Sequence, residues 1–305
     1  MKKSELVLAI DIGGSKIVVA LMNKTGELFN CEKYLLPKQY DAQFLTDFIL
    51  KAVKPLLEQK PMAVGISVPG LTDSKTGTWK YAPFSGIAEF PIAKIISDAT
   101  HLPAYAENDV NVCAIGERYY GICRDCDDFL WITVSNGVGG ALFLNGRLYT
   151  GANGNAGEIG HITIKERGAV CDCGKRGCLE AIASGRAIAR NYFEKTGERL
   201  SGQEIAVLAK GGDKTARSVF DCAGSALGKA IACSVNLLNF KKAIIGGGVA
   251  DSFELLAPAM QKALDANRFK WAGERLIPQK TGLGYYASVI GAGTLAWKGL
   301  ADKNI

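Results

Sequence analysis

One supersecondary unit occurs twice in this chain of 305 residues, and the repeat limits the folds that the chain can adopt. Residues 6–22 read as an apolar strand, a polar Gly-rich turn and a second apolar strand, and residues 129–144 repeat that order. Strands this apolar are typical of a sheet that is buried on both faces. Successive glycines let backbone N–H groups converge on an anion. The repeat therefore predicts two related α/β domains, each opening with a hairpin whose turn faces a phosphate.

The first of these turns carries further groups suited to a nucleotide. Asp11 ends a buried strand, where it is expected to hold a metal ion or a water, and Ser15 and Lys16 add a hydroxyl and a cation. An ordinary hairpin turn is the alternative. A later glycine run, 246–248, follows the buried strand 242–245 and would let the chain approach a flat ring closely, as a nucleoside site requires.

Four soft metal ligands lie together in one segment. Cys171, Cys173 and Cys178 follow His161 by 10, 12 and 17 residues. One imidazole and three thiolates can close a tetrahedron with no open position for water, which is typical of a structural zinc site. The alternative is three reduced cysteines in a polar loop beside an unrelated histidine.

Composition predicts a globular protein of the cytoplasm. Hydrophobic residues make up 48% of the chain and charged residues 22%. Nine cysteines with no export signal indicate reduced thiols, and no apolar run reaches the length of a membrane span. A net charge of +6 is too small and dispersed to indicate nucleic acid, although it suits an anionic small molecule.

A carboxylate follows another strand of the first half. The segment 43–59 has helical spacing that Pro55 is expected to kink or end, and the buried strand 62–68 leads into a turn containing Gly70. Asp109 lies between the strand 104–107 and a predicted helix. It is our candidate for the general base that takes a proton from a sugar hydroxyl, with helix N-capping as the alternative.

These motifs together resemble the ROK family of sugar kinases and sugar-responsive repressors, in order over nearly the whole chain. The matching segments are 11–16, 67–70, 107–111, 137–140, 156–161, 171–180 and 246–248. The resemblance implies the α/β actin-like ATPase fold, with two related RNase-H-like domains and an interdomain cleft that closes on sugar and Mg-ATP. We expect residues 1–107 plus about 290–305 to form a small domain, and 108–289 to form a larger one with the zinc knuckle.

The resemblance also implies roles for individual residues. Asp109 would be the base, and the sugar would be held by Gly70, Asn108, Asp109, Glu158, His161 and Glu180. His161 would act twice, with one ring nitrogen on zinc and the other toward the sugar. The nucleotide would be held by Asp11, Gly13, Gly14, Ser15, Lys16, Asn136, Gly137, Gly139, Gly246, Gly247 and Gly248.

Three departures from the family pattern stand out. Ser135 and Asn136 replace the usual Gly-Thr of the second phosphate turn, so a hydroxyl expected at the γ-phosphate is moved or replaced by an amide. Phe84 stands where many family glucokinases carry an asparagine, which predicts a different hexose orientation, a substituted sugar or a shifted loop; Ser85 could substitute for the amide. The extra cysteines Cys123 and Cys126 read as part of a surface loop rather than a redox or metal site.

The resulting prediction is an ATP-dependent hexose kinase (EC 2.7.1.-), glucokinase-like, with ATP, Mg²⁺ and structural Zn²⁺ as cofactors. Kinases of N-acetylmannosamine, N-acetylglucosamine, fructose or β-glucosides are alternatives in the same family. A ROK repressor is disfavoured because the first hairpin starts at Leu6 and leaves no room for a DNA-binding domain. A non-catalytic sugar-responsive regulator stays open. The expected partners are a sugar and ATP, with no nucleic acid and no membrane, in a homodimer.

Overall fold

The protein, described here from a computed structural model, divides into two compact units. The structure describes residues 5–82 and 85–302. The first unit takes the described residues of Met1–Asp125, Gly151–Asn155 and Tyr285–Ile305, and the second takes Cys126–Thr150 and Ala156–Gly284.

The described residues form strands and helices in mixed order. The strands are β1 Leu6–Ile12, β2 Lys16–Asn23, β3 Leu28–Leu35, β4 Val64–Val68, β5 Leu71–Asp73, β6 Thr78–Tyr81, β7 Ala88–Phe90, β8 Ala104–Asn108, β9 Phe129–Val134, β10 Val138–Leu144, β11 Arg147–Tyr149, β12 Lys242–Gly246 and β13 Gln279–Lys280. The helices are α1 Ala42–Leu57, α2 Ile92–Thr100, α3 Asp109–Tyr120, α4 Glu180–Ala183, α5 Gly185–Thr196, α6 Gly202–Lys210, α7 Lys214–Leu238, α8 Phe253–Asn267 and α9 Ala287–Asp302.

The first unit is built on a five-stranded sheet in the order β3-β2-β1-β4-β8. β1 is antiparallel to β2 and parallel to β4, which is parallel to β8. Alternate residues of β1 therefore face opposite sides: Leu8 and Ile10 pack with α1 and α2, and Ala9 packs with α9. The helix α1 continues through Pro55 to Leu57, although we expected this proline to kink or end it.

The second unit repeats this architecture. Its sheet has the order β11-β10-β9-β12-β13, again with two antiparallel pairings followed by two parallel ones. Apolar residues of β9 and β12 pack into one core with α5, α6, α7 and α8. The predicted α/β class and the predicted repeat are therefore confirmed.

The division differs from the predicted domain boundary after residue 107. The helix α3 belongs to the first unit because it packs closely on α9: a Cβ added at Gly291 would lie 1.8 Å from the Val112 carbonyl oxygen. The helix α9 also starts at Ala287, earlier than the predicted start near residue 290. Within the described residues, no helix is both long and apolar enough to cross a membrane.

Candidate functional site

In the first unit, the candidate residues lie at the carboxyl ends of neighbouring parallel strands. Asp11 pairs in register with Ser67 of β4, and Ser67 pairs with Glu107 of β8. Asn108 ends β8 and Asp109 begins α3. Ligands of open α/β sheets bind at this edge, so the topology brings the predicted base to a suitable position.

Asn108, rather than Asp109, is the N-cap of α3. Its Oδ1 accepts hydrogen bonds from the backbone N–H of Val110 at 2.9 Å and of Asn111 at 3.1 Å. Its Nδ2 donates to the Gly70 carbonyl oxygen at 2.9 Å and to Asp109 Oδ1 at 3.0 Å. The capping role considered for Asp109 therefore belongs to its neighbour. A primary amide offers two donor hydrogens and one oxygen with two lone pairs, and Asn108 uses all of them here.

Asp109 lies in an environment that favours its protonated form. Burial, together with the negative charge of Asp11, raises the pKa of the Asp109 carboxyl to about 7. Hydrogen bonds from Val110 N–H and from Asn108 act in the opposite direction. A carboxylate with a pKa near neutrality can accept a proton at physiological pH more effectively than an ordinary aspartate.

Residues of α9 and the segment before it hold the first phosphate turn. Ser288 Oγ donates to Asp11 Oδ2 at 2.7 Å, and Lys16 Nζ lies 2.5 Å from the Tyr285 hydroxyl oxygen. Burial raises the pKa of Asp11, against the lowering effect of the Ser288 hydrogen bond. Gly14 and Ser15 are exposed at the tip of the turn. The Gly13 N–H donates to the Lys16 carbonyl oxygen at 2.8 Å within the hairpin. The anion site predicted for this turn stays a prediction.

In the second unit, Glu180 directly contacts the turn that was predicted to bind phosphate. Its Oε2 accepts from the Val138 backbone N–H at 2.9 Å, and a Cβ added at Gly137 would lie 2.5 Å from that oxygen. Gly137 is thus needed for the close approach of Glu180, a role that its predicted place in a phosphate turn did not include. Gly139, which was also predicted in the turn, is part of β10 and pairs with Thr133.

The four predicted zinc ligands lie together. One ligand atom from each of His161, Cys171, Cys173 and Cys178 is within 4.8 Å of the others. Cys171 Sγ is 3.8 Å from His161 Nδ1, and Cys173 Sγ is 3.6 Å from Cys178 Sγ. In a tetrahedral zinc site the ligand atoms are about 3.5–3.8 Å apart, given Zn–S near 2.3 Å and Zn–N near 2.0 Å. The His161–Cys171 and Cys173–Cys178 distances match this spacing, and the four donors are of the kind that structural zinc sites use.

The second ring nitrogen of His161 points away from the thiols. His161 Nε2 lies 3.7 Å from Glu158 Oε2, and the Glu158 side chain is 55% exposed. His161 ends a short 3-10 helix, Ile159–His161, in which a Cβ at Gly160 would lie 2.0 Å from the Val138 carbonyl oxygen. This packing fixes the segment so that one nitrogen faces the cluster and the other faces an exposed carboxylate.

A cavity of about 430 Å³ lies beside the glycine run 246–248. Its lining includes Ser135, Asn136, Arg186, Gln203, Phe220 and Gly248. Gly246 ends β12, Gly247 has a positive φ of 84°, and Gly248 begins a 3-10 helix. The size and the mixed lining suit a nucleoside-sized ligand.

Sequence reasoning missed three supporting residues: Glu107, Ser288 and Arg186. The buried Glu107 accepts from Asn108 N–H at 2.7 Å and from Asn111 Nδ2 at 3.1 Å, and thereby fixes the start of α3. Because Glu107 directly precedes the predicted site residues Asn108 and Asp109, its position in the sequence could have indicated a supporting role. The sequence contains no comparable signal for Ser288 or Arg186, because their partners are distant in the chain.

Two of the departures from the family pattern concern the cysteine pair Cys123 and Cys126 and the position of Phe84. Cys123 and Cys126 are buried, with 0% and 3% of their surface exposed, so the expectation of a surface loop was wrong for these side chains. The apolar surroundings that bury a cysteine commonly reflect packing. Phe84 lies outside the described residues, while the Ser85 Oγ is 3.4 Å from the Ile87 backbone nitrogen.

Comparison with known proteins identifies the class. A family model described as the ROK family matches residues 7–298. The chain belongs to the ROK family, and it has the actin-like ATPase fold with two domains. It is 34% identical over 311 positions to a glucokinase of Halalkalibacterium halodurans, with 94% of each chain covered.

Solved structures resemble the chain over most of its length. A glucokinase of Streptomyces griseus in complex with glucose and AMPPNP is 30% identical, with a TM-score of 0.84 over 96% of this chain and 99% of that one. A ROK transcriptional regulator, a homologue of the Escherichia coli MLC protein, is 27% identical, with a TM-score of 0.89 over 96% of this chain and 78% of that one.

Proposed function

We propose that this sugar kinase transfers the γ-phosphoryl group of Mg-ATP to a hydroxyl of a hexose or hexose derivative. The observation that carries the proposal is the half-buried Asp109, whose pKa is raised to about 7 and whose Oδ1 is held by Asn108. The second carboxylate oxygen, Oδ2, is the one that we assign to the sugar hydroxyl. Asp109 orients that hydroxyl and accepts its proton as the oxygen attacks phosphorus.

In this proposal the sugar is held by four side chains and one turn. Asn108, Glu158, His161 and Glu180, with the Gly70 turn, contact the sugar hydroxyls. Because Asn108 already uses its full hydrogen-bonding capacity, its contact with a sugar requires the exchange of one present partner, and the bond to Gly70 is the simplest to exchange. Glu158 offers an acceptor to one sugar hydroxyl, and His161 Nε2–H offers a donor to a neighbouring hydroxyl when Nδ1 is the zinc ligand.

His161, Cys171, Cys173 and Cys178 hold a structural zinc ion in this proposal. The observed spacing of their ligand atoms supports it. Zinc supplies no reaction step: when bound to His161 Nδ1 it fixes the tautomer and the orientation of the ring, so that Nε2 stays available to the sugar. Lys175 and Arg176 lie in the same loop and offset the charge of three thiolates.

The nucleotide occupies the two phosphate turns and the cavity beside residues 246–248. Gly13, Gly14, Ser15 and Lys16 contact phosphate oxygens, and Asn136 supplies an amide where the family pattern has a hydroxyl. Asp11 holds Mg²⁺ or one of its waters, and the metal neutralises charge on the transferred group when bound. Lys16 must exchange its Tyr285 contact for a phosphate oxygen.

A second candidate function is a sugar-responsive regulator without turnover. Two observations favour it: the Ser135-Asn136 departure from the phosphate-turn pattern, and the high TM-score to a ROK transcriptional regulator. The glucokinase relatives and the retained Asp109 and Lys16 support the kinase instead.

A coupled assay of ADP release with Mg-ATP tests the proposal. The acceptors are glucose, mannose, fructose, allose, N-acetylglucosamine, N-acetylmannosamine and β-glucosides, and Asp109→Asn is the control for contaminating kinases. We expect wild-type turnover on at least one sugar and turnover at least about 100-fold lower for the variant. Sugar binding without turnover across the panel would favour the regulator. Light scattering during the same purification tests the proposed homodimer.

A further inference from the structure

Arg186 lies where three functional segments of the second unit meet. Its Nε donates to the Asn136 carbonyl oxygen at 2.9 Å, in the second phosphate turn. Its Nη1 is 2.9 Å from Asp172 Oδ2, in the cysteine loop, and its Nη2 is 3.9 Å from Glu180 Oε1. One guanidinium group therefore spans a nucleotide segment, the loop of the zinc ligands and a sugar-binding carboxylate.

The backbone at Arg186 is held firmly in place. Gly185 N–H donates to the Ser135 carbonyl oxygen at 2.7 Å, and a Cβ added at Gly185 would lie 3.0 Å from that oxygen. Ser184 caps α5 by accepting from the Ala187 N–H. Because the first turn of α5 contacts the Ser135 carbonyl oxygen, the backbone position of Arg186 follows that of the Ser135–Asn136 turn.

The three contacts differ in strength. Arg186 and Asp172 are 59% and 75% exposed, so water screens their ion pair and it contributes little by itself. Glu180 is only 17% exposed and also accepts from the Val138 N–H, but its 3.9 Å separation from Arg186 is a charge contact that is longer than a hydrogen bond. The planar guanidinium of an arginine can face all three acceptors at the same time, whereas the single ammonium of a lysine cannot.

We propose that Arg186 is a positioning residue that couples the sugar subsite to the nucleotide subsite. This inference rests on the proposed function. A nucleotide that orders Asn136 also orders the Arg186 guanidinium, and the ordered guanidinium holds Glu180 for the sugar. In the other direction, a sugar that orders Glu180 orders the guanidinium and, through it, Asn136. Each ligand then lowers the entropic cost of binding the other, and the coupling must be equal in both directions.

The test measures the sugar dissociation constant by calorimetry with and without Mg-AMPPNP, using glucose or whichever panel sugar turns over fastest. The ratio of the two constants is the coupling factor. We expect wild-type coupling of about fivefold or more. In Arg186→Gln the coupling factor should fall to near one while the melting temperature stays close to that of the wild type. In Arg186→Lys the coupling factor should lie between these two values. Arg217→Gln, which removes a half-buried arginine paired with Asp221 on α7, should keep wild-type coupling.

Several outcomes would overturn the inference while leaving the kinase intact. Wild-type turnover without coupling would do so, as would unchanged coupling in Arg186→Gln. A variant that loses AMPPNP affinity alone, with the coupling factor retained, would make Arg186 a direct phosphate ligand. Absence of wild-type turnover on every sugar is the separate result that defeats the proposed function.

Discussion

Ser288 and Asp11 are 277 residues apart in the chain and are joined by a hydrogen bond of 2.7 Å from Ser288 Oγ to Asp11 Oδ2. The helix α9 thereby reaches the end of β1, where the first phosphate turn begins. This bond stabilises the ionised form of a carboxylate that burial otherwise disfavours. The charge of Asp11 in turn contributes to the raised pKa of Asp109.

Ser288→Ala should therefore weaken nucleotide binding. Without its donor, Asp11 takes up a proton more readily, so we expect a higher KM for Mg-ATP, with the increase larger at pH 6 than at pH 8. The loss of one hydrogen bond should also lower the free energy of unfolding by about 1 kcal/mol. Steady-state kinetics at the two pH values measure the effect. Ser97→Ala on α2 is the control, and an equal change in both variants would contradict the assignment.

Asp109→Asn should lower turnover by about two to four orders of magnitude, because the proton acceptor is removed. The same substitution should increase stability above neutral pH. The folded-state pKa of about 7 exceeds the value of about 3.9 in an unfolded chain. As pH rises through that window the unfolded state releases its proton first, so wild-type stability falls, and the asparagine variant lacks this loss.

Urea unfolding of both proteins at pH 4.5 and 7.5 measures this difference. The stability advantage of Asp109→Asn should be larger at pH 7.5 than at pH 4.5. Asp98→Asn, which changes an exposed carboxylate paired with Lys94, should show no such pH dependence. If the advantage is the same at both pH values, the pKa of Asp109 is not raised.

Cys173→Ser should remove zinc and stability together, since binding of a structural metal is coupled to local folding. Elemental analysis should give about one zinc per wild-type chain and much less in the variant, with a lower melting temperature. Cys222→Ser, an exposed cysteine of α7, is the matched control and should keep the metal. Wild-type protein without zinc would refute the assignment of the cluster.

Gly246→Ala and Gly248→Ala should have different effects although they lie two residues apart. A Cβ at Gly246 would lie 2.3 Å from Trp131 Cζ2, so the substitution should lower the free energy of unfolding by about 1–3 kcal/mol. At Gly248 the nearest atom is Ser135 Oγ at 4.0 Å, so the fold should tolerate alanine. Gly248→Ala should instead raise the KM for ATP, because its methyl group enters the cavity. Chemical denaturation and ATP titration separate the two effects.

Local pattern was sufficient for the elements that carry the site. The two hairpins, the strands before Gly70 and Asn108, and the helix after Asp109 were predictable because apolar runs and glycine turns are local signals. Local pattern was less informative about where elements end. The helix α1 ends two residues beyond Pro55, and Gly139, which the sequence placed in the turn, pairs with Thr133 in β10. The phosphate-binding role of Gly139 stays a prediction.

Residue types and their spacing along the chain were enough to identify the α/β repeat, the candidate base and the four soft ligands. The folded structure was needed to show that Asn108 caps α3, that Gly137 makes room for Glu180, and that Ser288 and Arg186 contact site residues. These relationships depend on which segments pack together over long separations. Packing also sets the pKa of Asp109, because burial and the charge of Asp11 act through space rather than along the sequence.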